Sequence, residues 1–412
     1  MLILAQSTKL IMKRIKYSLT ILLLVAAACT SSDDQISRKA DKLHSAMLSV
    51  DTHCDTPMRM YRGGFDLGVR NERGNVDFPR MKEGGLDAEF FAIFLGQGPR
   101  TPEAFDKVHL QTLATFDSIR SNVSRNAGMA GLALTPDDAY RLKSEGKVSV
   151  FIGIENGYPV GTDISKVKQY YDLGARYITL CHSFNNDICD SSTDKSGPEH
   201  NGLSAFGEEV VREMNRVGMM VDVSHISDES FYDVLSVSKA PVIASHSSCR
   251  ALCESPRNLN DEMLQALKKN GGVIQICILS DYLKQPEPNP EYDAKARELR
   301  EKWKAMGREL TDAEQEQRWN EISALRKQYV KLATVADAVN HIQHVVDIIG
   351  IDYVGIGSDF DGGGGIEGCT DVSMMKNITI ELLRRGYSRD DITKIWGGNF
   401  MRVMREVQAL AI

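Results

Sequence analysis

The sequence predicts an α/β fold, a (βα)8 barrel, and three observations carry the prediction. Short runs of apolar, β-branched or aromatic residues alternate with longer segments of helical period, the pattern of repeated βα units around a parallel sheet. The runs number eight, which is what closes a barrel. Side chains of a few recurring polar types stand where the runs end. A chain of 412 residues has room for two average domains, so the repeat rather than the length selects one large barrel.

The predicted strands are Met47–Thr52, Glu89–Leu95, Val148–Ile154, Tyr177–Cys181, Met219–Ser224, Val242–Ser245, Val273–Ile278 and Tyr353–Gly357. Helical periodicity marks Asp163–Leu173, Phe206–Val217, Ser227–Val237 and Asp261–Lys269, with Gly218 and Gly271 where C-terminal caps belong. One stretch breaks the repeat. Residues 284–331 are rich in charge and open with Gln285-Pro286-Glu287-Pro288-Asn289-Pro290. Tyr292, Leu299, Trp303 and Met306 then recur at helical spacing, and Thr311 to Glu314 reads as a capping box. Trp319, Ile322, Leu325 and Tyr329 continue a stripe, and Glu314 and Arg318 are spaced to pair. These features predict a helical hairpin inserted between strands seven and eight, its stripe packing on the barrel or on a second subunit. A further helix, Val335 to Ile349, leads into the last strand. Its His341 and His344, like His44 and His109, are expected to be solvated helix histidines.

The N-terminus predicts export. Lys13-Arg14-Ile15-Lys16 precedes the apolar run Leu19 to Ala28, which is too short to remain as a membrane span but suits a signal-peptide core, and the signal reads best from Met12. Val25-Ala26-Ala27-Ala28-Cys29 resembles the bacterial lipobox, which implies lipidation of Cys29. The expected organisation is a signal peptide over 1–28, a tether over 29–40 and one catalytic barrel over 41–412. The expected place is the cell envelope, with the protein held to a membrane by its lipid. Removing 1–28 deletes Lys9, Lys13, Arg14 and Lys16 and no acid, so the formal net charge goes from −7 to −11. So acidic a protein does not point to nucleic acid. The other cysteines (54, 181, 189, 249, 253, 277 and 369) are odd in number and lack CxxC spacing, so neither a disulfide framework nor a thiolate zinc site is indicated. One bridge involving Cys249 or Cys253 stays open.

The chemistry collects at the strand ends. His53 and Asp55 follow the first strand, Glu155 the third, His182 the fourth, His225 the fifth, His246 the sixth and Asp359 the eighth. In a barrel these ends form one face, and that face carries the active site. Strand alternation puts His53 and Asp55 on one side and turns Cys54 away. Imidazoles and carboxylates without thiolate suit zinc best, with manganese, cobalt or iron as lesser options. They outnumber what one tetrahedral ion needs, so two metals sharing a carboxylate is the economical reading. A hydroxide formed near neutral pH would attack, which points to hydrolysis and a metal-dependent hydrolase type of TIM-like barrel.

These residues also stand in longer motifs. Val50-Asp51-Thr52-His53-Cys54-Asp55, Gly153-Ile154-Glu155-Asn156-Gly157, Tyr177 to His182 and Asn201 to Gly207 are similar to successive signatures of the membrane (renal) dipeptidase family. So are Met214 to His225, Ser245-His246-Ser247-Ser248, Pro256-Arg257-Asn258 and Gly357 to Gly362. The resemblance runs from about Leu48 to Val403 and implies a dinuclear zinc dipeptidase, expected as a homodimer. It implies that His53 and Asp55 hold one Zn2+, that His225 and His246 hold the other, and that Glu155 bridges them. It further implies that His182 hydrogen-bonds the substrate carbonyl, that Arg257 grips the C-terminal carboxylate of a dipeptide, and that Asp359 moves the proton of the attacking water.

Two other classes stay in view. One is a different dinuclear metal-dependent amidohydrolase acting on a lactone, cyclic amide or phosphoester. Many of these bridge their metals with a carbamylated lysine on the fourth strand, and Tyr177–Cys181 contains none. The other is a lipoprotein that binds zinc or peptide for transport. Gly362 to Gly365 lacks the Lys-Ser/Thr of a phosphate-binding loop and is expected to be a flexible loop at the barrel mouth.

Overall fold

A computed structural model of the chain describes residues 34–61, 64–308 and 310–412. The expected signal peptide and Cys29 lie outside the described residues. Among those that are described, no helix is long and apolar enough to cross a membrane.

Among the described residues nine strands form one sheet: β1 (Val50–Cys54), β2 (Ala88–Phe94), β3 (Ala130–Leu132), β4 (Val148–Glu155), β5 (Ala175–Thr179), β6 (Met220–Asp222), β7 (Ile243–Ser247), β8 (Val273–Cys277) and β9 (Val354–Gly357). All pair in parallel, eight of them in the order β1-β2-β4-β5-β6-β7-β8-β9 and β3 alongside β4. The circuit returns to β1 just past β9. There the Asp359 amide donates to the His53 carbonyl at 2.9 Å, the Asp55 amide donates to the Phe360 carbonyl at 2.7 Å, and the Ser358 amide donates to the Asp51 carboxylate at 2.7 Å. The eight expected strands are all present, with ends displaced by at most three residues.

Three elements between β2 and β4 escaped the sequence reading, among them the helix Pro136–Ser144, capped by Thr135. Pro102–Arg125 is a helix of 24 residues, opened by Thr101 as N-cap and Pro102 in its first turn. β3 has only three residues and pairs with β4 alone, so it needs no periodic signal of its own.

Inside the barrel, Phe90 stacks on Phe151 with ring centroids 4.5 Å apart and on Tyr177 at 5.7 Å. Phe400, from the C-terminal helix Asn399–Ala409, meets Phe90 edge-on at 5.0 Å. This aromatic plug fills the barrel and leaves only its C-terminal mouth for chemistry.

Two histidines expected on the solvated surface are buried instead. His44, in the helical stretch 34–46, is 4% exposed. Its Nδ1 donates to the Gly85 carbonyl at 2.9 Å, and its Nε2 lies 2.7 Å from Thr379 Oγ1, which also accepts from the Trp396 indole. His341 is 1% exposed, with Nδ1 accepting the Cys249 amide at 3.0 Å and Nε2 donating to the Leu283 carbonyl at 2.9 Å. Burial brings each pKa down to about 4, outweighing the bonds to the Gly85 and Leu283 carbonyls, which favour the charged ring. His109 and His344 are half-buried, at 2.7 Å from the Tyr170 hydroxyl and from Asp261 respectively. Helical spacing gives no sign of which face a neighbouring element covers.

The insertion is the expected hairpin, built of Pro290–Lys304 and Asp312–Tyr329, and Thr311 and Glu314 form the capping box. Trp303 is buried and donates to Glu321 at 3.0 Å. The side chain of Trp319 lies outside the described residues. The Glu314–Arg318 pair does not form. Glu314 instead takes a bidentate bond from Arg308, at 2.6 and 2.8 Å.

Candidate metal and active site

The strand ends deliver the expected residues to one place. His53 lies in β1 with Asp55 just past it, Glu155 ends β4, and His246 lies in β7. His182, His225 and Asp359 sit two or three residues beyond β5, β6 and β9. Six of the seven line one cavity of about 420 Å³, and the seventh, His53, is fully buried beside Glu155. Arg257 lines it too, so every site residue read from the sequence is brought together.

Glu155 occupies the centre. Its Oε2 is 3.5 Å from His53 Nε2, while its Oε1 is 3.0 Å from His225 Nε2, 3.4 Å from His246 Nε2 and 3.6 Å from His182 Nε2. The two oxygens of one carboxylate thus face two different groups of nitrogens. His53 Nε2 is also 3.6 Å from Asp55 Oδ2, and the His225 and His246 Nε2 atoms lie only 2.8 Å apart.

Neighbouring hydroxyls orient the rings. The Tyr177 hydroxyl donates to the Thr52 carbonyl at 3.3 Å, so at 2.9 Å from His53 Nδ1 it accepts that N–H and leaves Nε2 bare. Ser245 Oγ donates to Asp222 at 2.6 Å and, 2.8 Å from His246 Nδ1, sets the same tautomer there. Asp222 itself accepts from Thr179 Oγ1 at 2.5 Å and from the Ser224 and Ser245 amides at 3.0 and 2.8 Å. Such outer partners fix ring orientation and raise ligand basicity. Gly153 makes the first of these possible, because a Cβ there would run into the Tyr177 ring.

Local backbone geometry is unusual where the chemistry sits. His225, Asp359, Asp361 and Asn156 all have left-handed φ, at 74°, 59°, 66° and 77°. Non-glycine residues in this region cluster at functional sites, where surrounding structure holds them. The loop after Asp359 is not the flexible segment the four glycines suggested. The amides of Gly362 and Gly364 bond back to the Asp359 carbonyl at 3.1 and 2.7 Å, and a Cβ at Gly362 would collide with the carboxylates of both Asp55 and Asp359.

β1 also departs from strict alternation. Its pairing with β2 shifts register between Asp51 and Cys54, as at a β-bulge, yet Cys54 still packs in the apolar core beside Phe91, away from the cluster. All seven described cysteines are free.

The electrostatics suit a cation. Burial pushes the Asp55 carboxyl up to about 7, and nearby Glu155 adds to the rise. Burial and then Asp55 drive Asp359 well above the carboxylate range. Burial opposes ionisation of Glu155, but the surrounding imidazoles of His53 and His182 hold it well below that range. Burial lowers His246 to about 3, with His53 adding, and takes His225 well below its usual value, with Arg257 adding. Burial opposes charge on His53, but Glu155 and then Asp55 raise its pKa well above the usual value, and a divalent ion at the same carboxylates would replace that proton. The lowered imidazoles of His225 and His246 and the crowded carboxylates are what a divalent ion binds. Two buried atoms make the same point: His53 Nε2 and Asp55 Oδ1 have no hydrogen-bond partner among the described residues. Three groupings have the spacing of a metal site: His53, Glu155 and His246; Glu155, His182 and His225; and His53, Asp55 and Asp359. His182 and Asp359 therefore lie within ligand reach as well as being candidates for substrate and proton work.

Several contributors were not foreseen. Tyr282 places its ring 5.3 Å from the Arg257 guanidinium, and Phe94 packs edge-on against His182 at 4.8 Å. Arg59 lines the mouth and is paired with Asp361 at 2.9 Å. Tyr177 and Asp222 carried a signal, being inward strand residues in motifs quoted above. The others are adjacent only in space.

The profile of the membrane dipeptidase family (peptidase family M19) matches residues 37–412. The chain is similar to the dipeptidase verJ of Clonostachys rogersoniana, 35% identical over 393 residues, covering 92% of this chain and 89% of that protein. It is 34% identical over 343 residues to the dipeptidase aclJ of Aspergillus oryzae, covering 82% and 71%. Among solved structures it resembles the probable dipeptidase PvdM of Pseudomonas aeruginosa with a TM-score of 0.80 and 32% identity, over 92% of this chain and 100% of that chain. A match that runs from residue 37 to residue 412, through every strand end that feeds the cluster, shows that the chain belongs to the membrane dipeptidase family and is a metallo-dipeptidase, a hydrolase acting on peptide bonds.

Proposed function

We propose that the protein is a zinc-dependent dipeptidase with two metal positions bridged by Glu155, one completed by His53 and Asp55 and the other by His225 and His246. The observation that carries this reading is the split of the Glu155 carboxylate, with Oε2 at 3.5 Å from His53 and Oε1 at 3.0 and 3.4 Å from His225 and His246. Zinc ions there would supply a hydroxide near neutral pH and polarise the scissile carbonyl.

The chain's own residues supply the rest. Arg257 is buried beside the cavity, with Nη2 donating to the His246 carbonyl at 3.1 Å and Nε without a partner among the described residues. A planar guanidinium so placed can take the free C-terminal carboxylate of a dipeptide in a bidentate grip. His182 Nε2 faces the cavity with its Nδ1 2.9 Å from Ser183 Oγ, and it hydrogen-bonds the carbonyl oxygen as negative charge develops. Asp359 accepts the proton of the attacking water and returns it to the leaving amine.

The test is a panel of free dipeptides, D-forms included, offered to zinc-loaded enzyme. Hydrolysis should be lost on chelation and restored by zinc, and N-acetylated or C-amidated peptides should not be cleaved. Glu155→Gln should fall to the activity of the stripped enzyme while melting cooperatively. Cleavage of a lactone, cyclic amide or phosphoester with no dipeptide cleaved would replace this reading with that of another dinuclear amidohydrolase.

We further propose that the protein is an exported lipoprotein anchored through Cys29 in the cell envelope and that it acts as a homodimer. The support for the anchor is the charged, apolar and small-residue order of residues 13–29. Metabolic labelling with a fatty acid, lost in Cys29→Ala, tests the anchor, and light scattering of the solubilised protein tests the dimer.

A further inference from the structure

The inserted hairpin brings to the cavity a charged group that the barrel does not supply. Gln315, Arg318, Ile322 and Arg326 share one face of the helix Asp312–Tyr329. Arg326 fastens that face to the barrel by a bidentate pair with Asp281, at 2.8 and 2.5 Å. Asp281 belongs to the short helix Ser280–Leu283, which also carries Tyr282 into the cavity. The ion pair therefore sets the register of the hairpin over the site, and Gln315 and Arg318 line the same cavity as the metal cluster.

Three arginines line this cavity, and they differ in what already holds them. Arg59 is paired with Asp361 at 2.9 Å, and Arg257 lies buried against the His246 carbonyl and the Tyr282 ring. Arg318 is exposed and has no hydrogen-bond or ion-pair partner among the described residues. The acid spaced to neutralise it, Glu314, is occupied by Arg308. A guanidinium at a cavity wall with no protein partner is available to an anion that enters.

The charges of a dipeptide narrow what that anion is. The α-carboxylate has its own guanidinium in Arg257. The α-amino group is cationic, and Arg318 would repel it. The anionic group that remains is a carboxylate on a substrate side chain. We propose that Arg318 is a specificity-determining residue, which pairs with the side-chain carboxylate of aspartyl or glutamyl dipeptides and gives the enzyme a preference for acidic substrates; this rests on the dipeptidase reading above.

The experiment compares isosteric pairs, Ala-Glu with Ala-Gln and Glu-Ala with Gln-Ala, on zinc-loaded wild type and Arg318→Gln. Arg318 is a surface side chain, so the variant should fold. Wild type should favour at least one glutamyl peptide over its glutaminyl twin by roughly tenfold in kcat/KM, through KM, and the variant should lose that preference while keeping its rate on the glutaminyl twin. Equal rates on both twins in wild type overturn the proposal, as does an equal loss on both in the variant, which would mark Arg318 as a general steering charge. If no dipeptide is cleaved, the dipeptidase reading fails by itself. Calorimetric binding of the same four peptides then decides for Arg318: a glutamyl preference abolished by the variant upholds its role, and equal binding of the twins refutes it.

Discussion

The Tyr177 hydroxyl stands 2.9 Å from Nδ1 of His53 and ties that ring to the Thr52 carbonyl. Because the hydroxyl is already a donor, it accepts from His53 and leaves Nε2 bare towards Glu155. Tyr177→Phe keeps the ring that stacks on Phe90 but removes this fixation. We expect the variant to fold normally and to bind the metal at His53 and Asp55 roughly 10–100-fold more weakly, as judged by chelator competition. Unchanged affinity would show that packing alone orients the imidazole.

Arg257 is 3% exposed and lies against the Tyr282 ring. Replacing it with alanine should raise KM for free dipeptides roughly 10–100-fold, the loss of a charge-assisted hydrogen bond, with a smaller change in kcat. Arg257→Lys should recover only part of the loss, because an ammonium lacks the planar fork. Steady-state kinetics on one dipeptide suffices, and an unchanged KM would remove the carboxylate clamp from the account.

His341 makes stability depend on pH. Its folded pKa, brought down to about 4 chiefly by burial, lies below the unfolded value of 6.5, so the unfolded chain binds the extra proton first as pH falls. Stability is then full above about pH 6.5 and declines as pH drops towards 4, by about 3 kcal/mol for this one ring. Protonation would also break the bond that Nδ1 accepts from the Cys249 amide. His341→Gln cannot take up the charge. Urea unfolding at pH 7.5 and pH 4.5 should show a smaller drop for the variant than for wild type, and equal drops would contradict the assignment.

Cys54 sits between two site residues in sequence and away from them in space. Cys54→Ser should leave metal content unchanged and cost about 1 kcal/mol or less, because Glu89 and Thr56 lie within reach to partner a hydroxyl there. Loss of one equivalent of metal would show that the bulge in β1 turns this side chain inward after all.

The sequence by itself determined the barrel and the residues of its mouth. Strand runs and helical stretches are local patterns, and parallel strands that all end on one face turn that local order into a shared location for His53, Asp55, Glu155, His182, His225, His246 and Asp359. Local signals reached further where they were strong, as in the capping box of Thr311 and Glu314. Tertiary structure decided whatever depended on who lies opposite whom. His341 and His44 looked like surface histidines because helical period shows a face but not what covers it. Glu314 chose Arg308 over Arg318 because the hairpin turn brought a closer guanidinium, and that choice left Arg318 facing the cavity. The direction of each Glu155 oxygen, the Tyr177 and Ser245 hydroxyls that set the imidazole tautomers, and the collision that keeps position 362 a glycine are all contacts between segments far apart in the chain. No local pattern encodes them, because they exist only once the barrel closes.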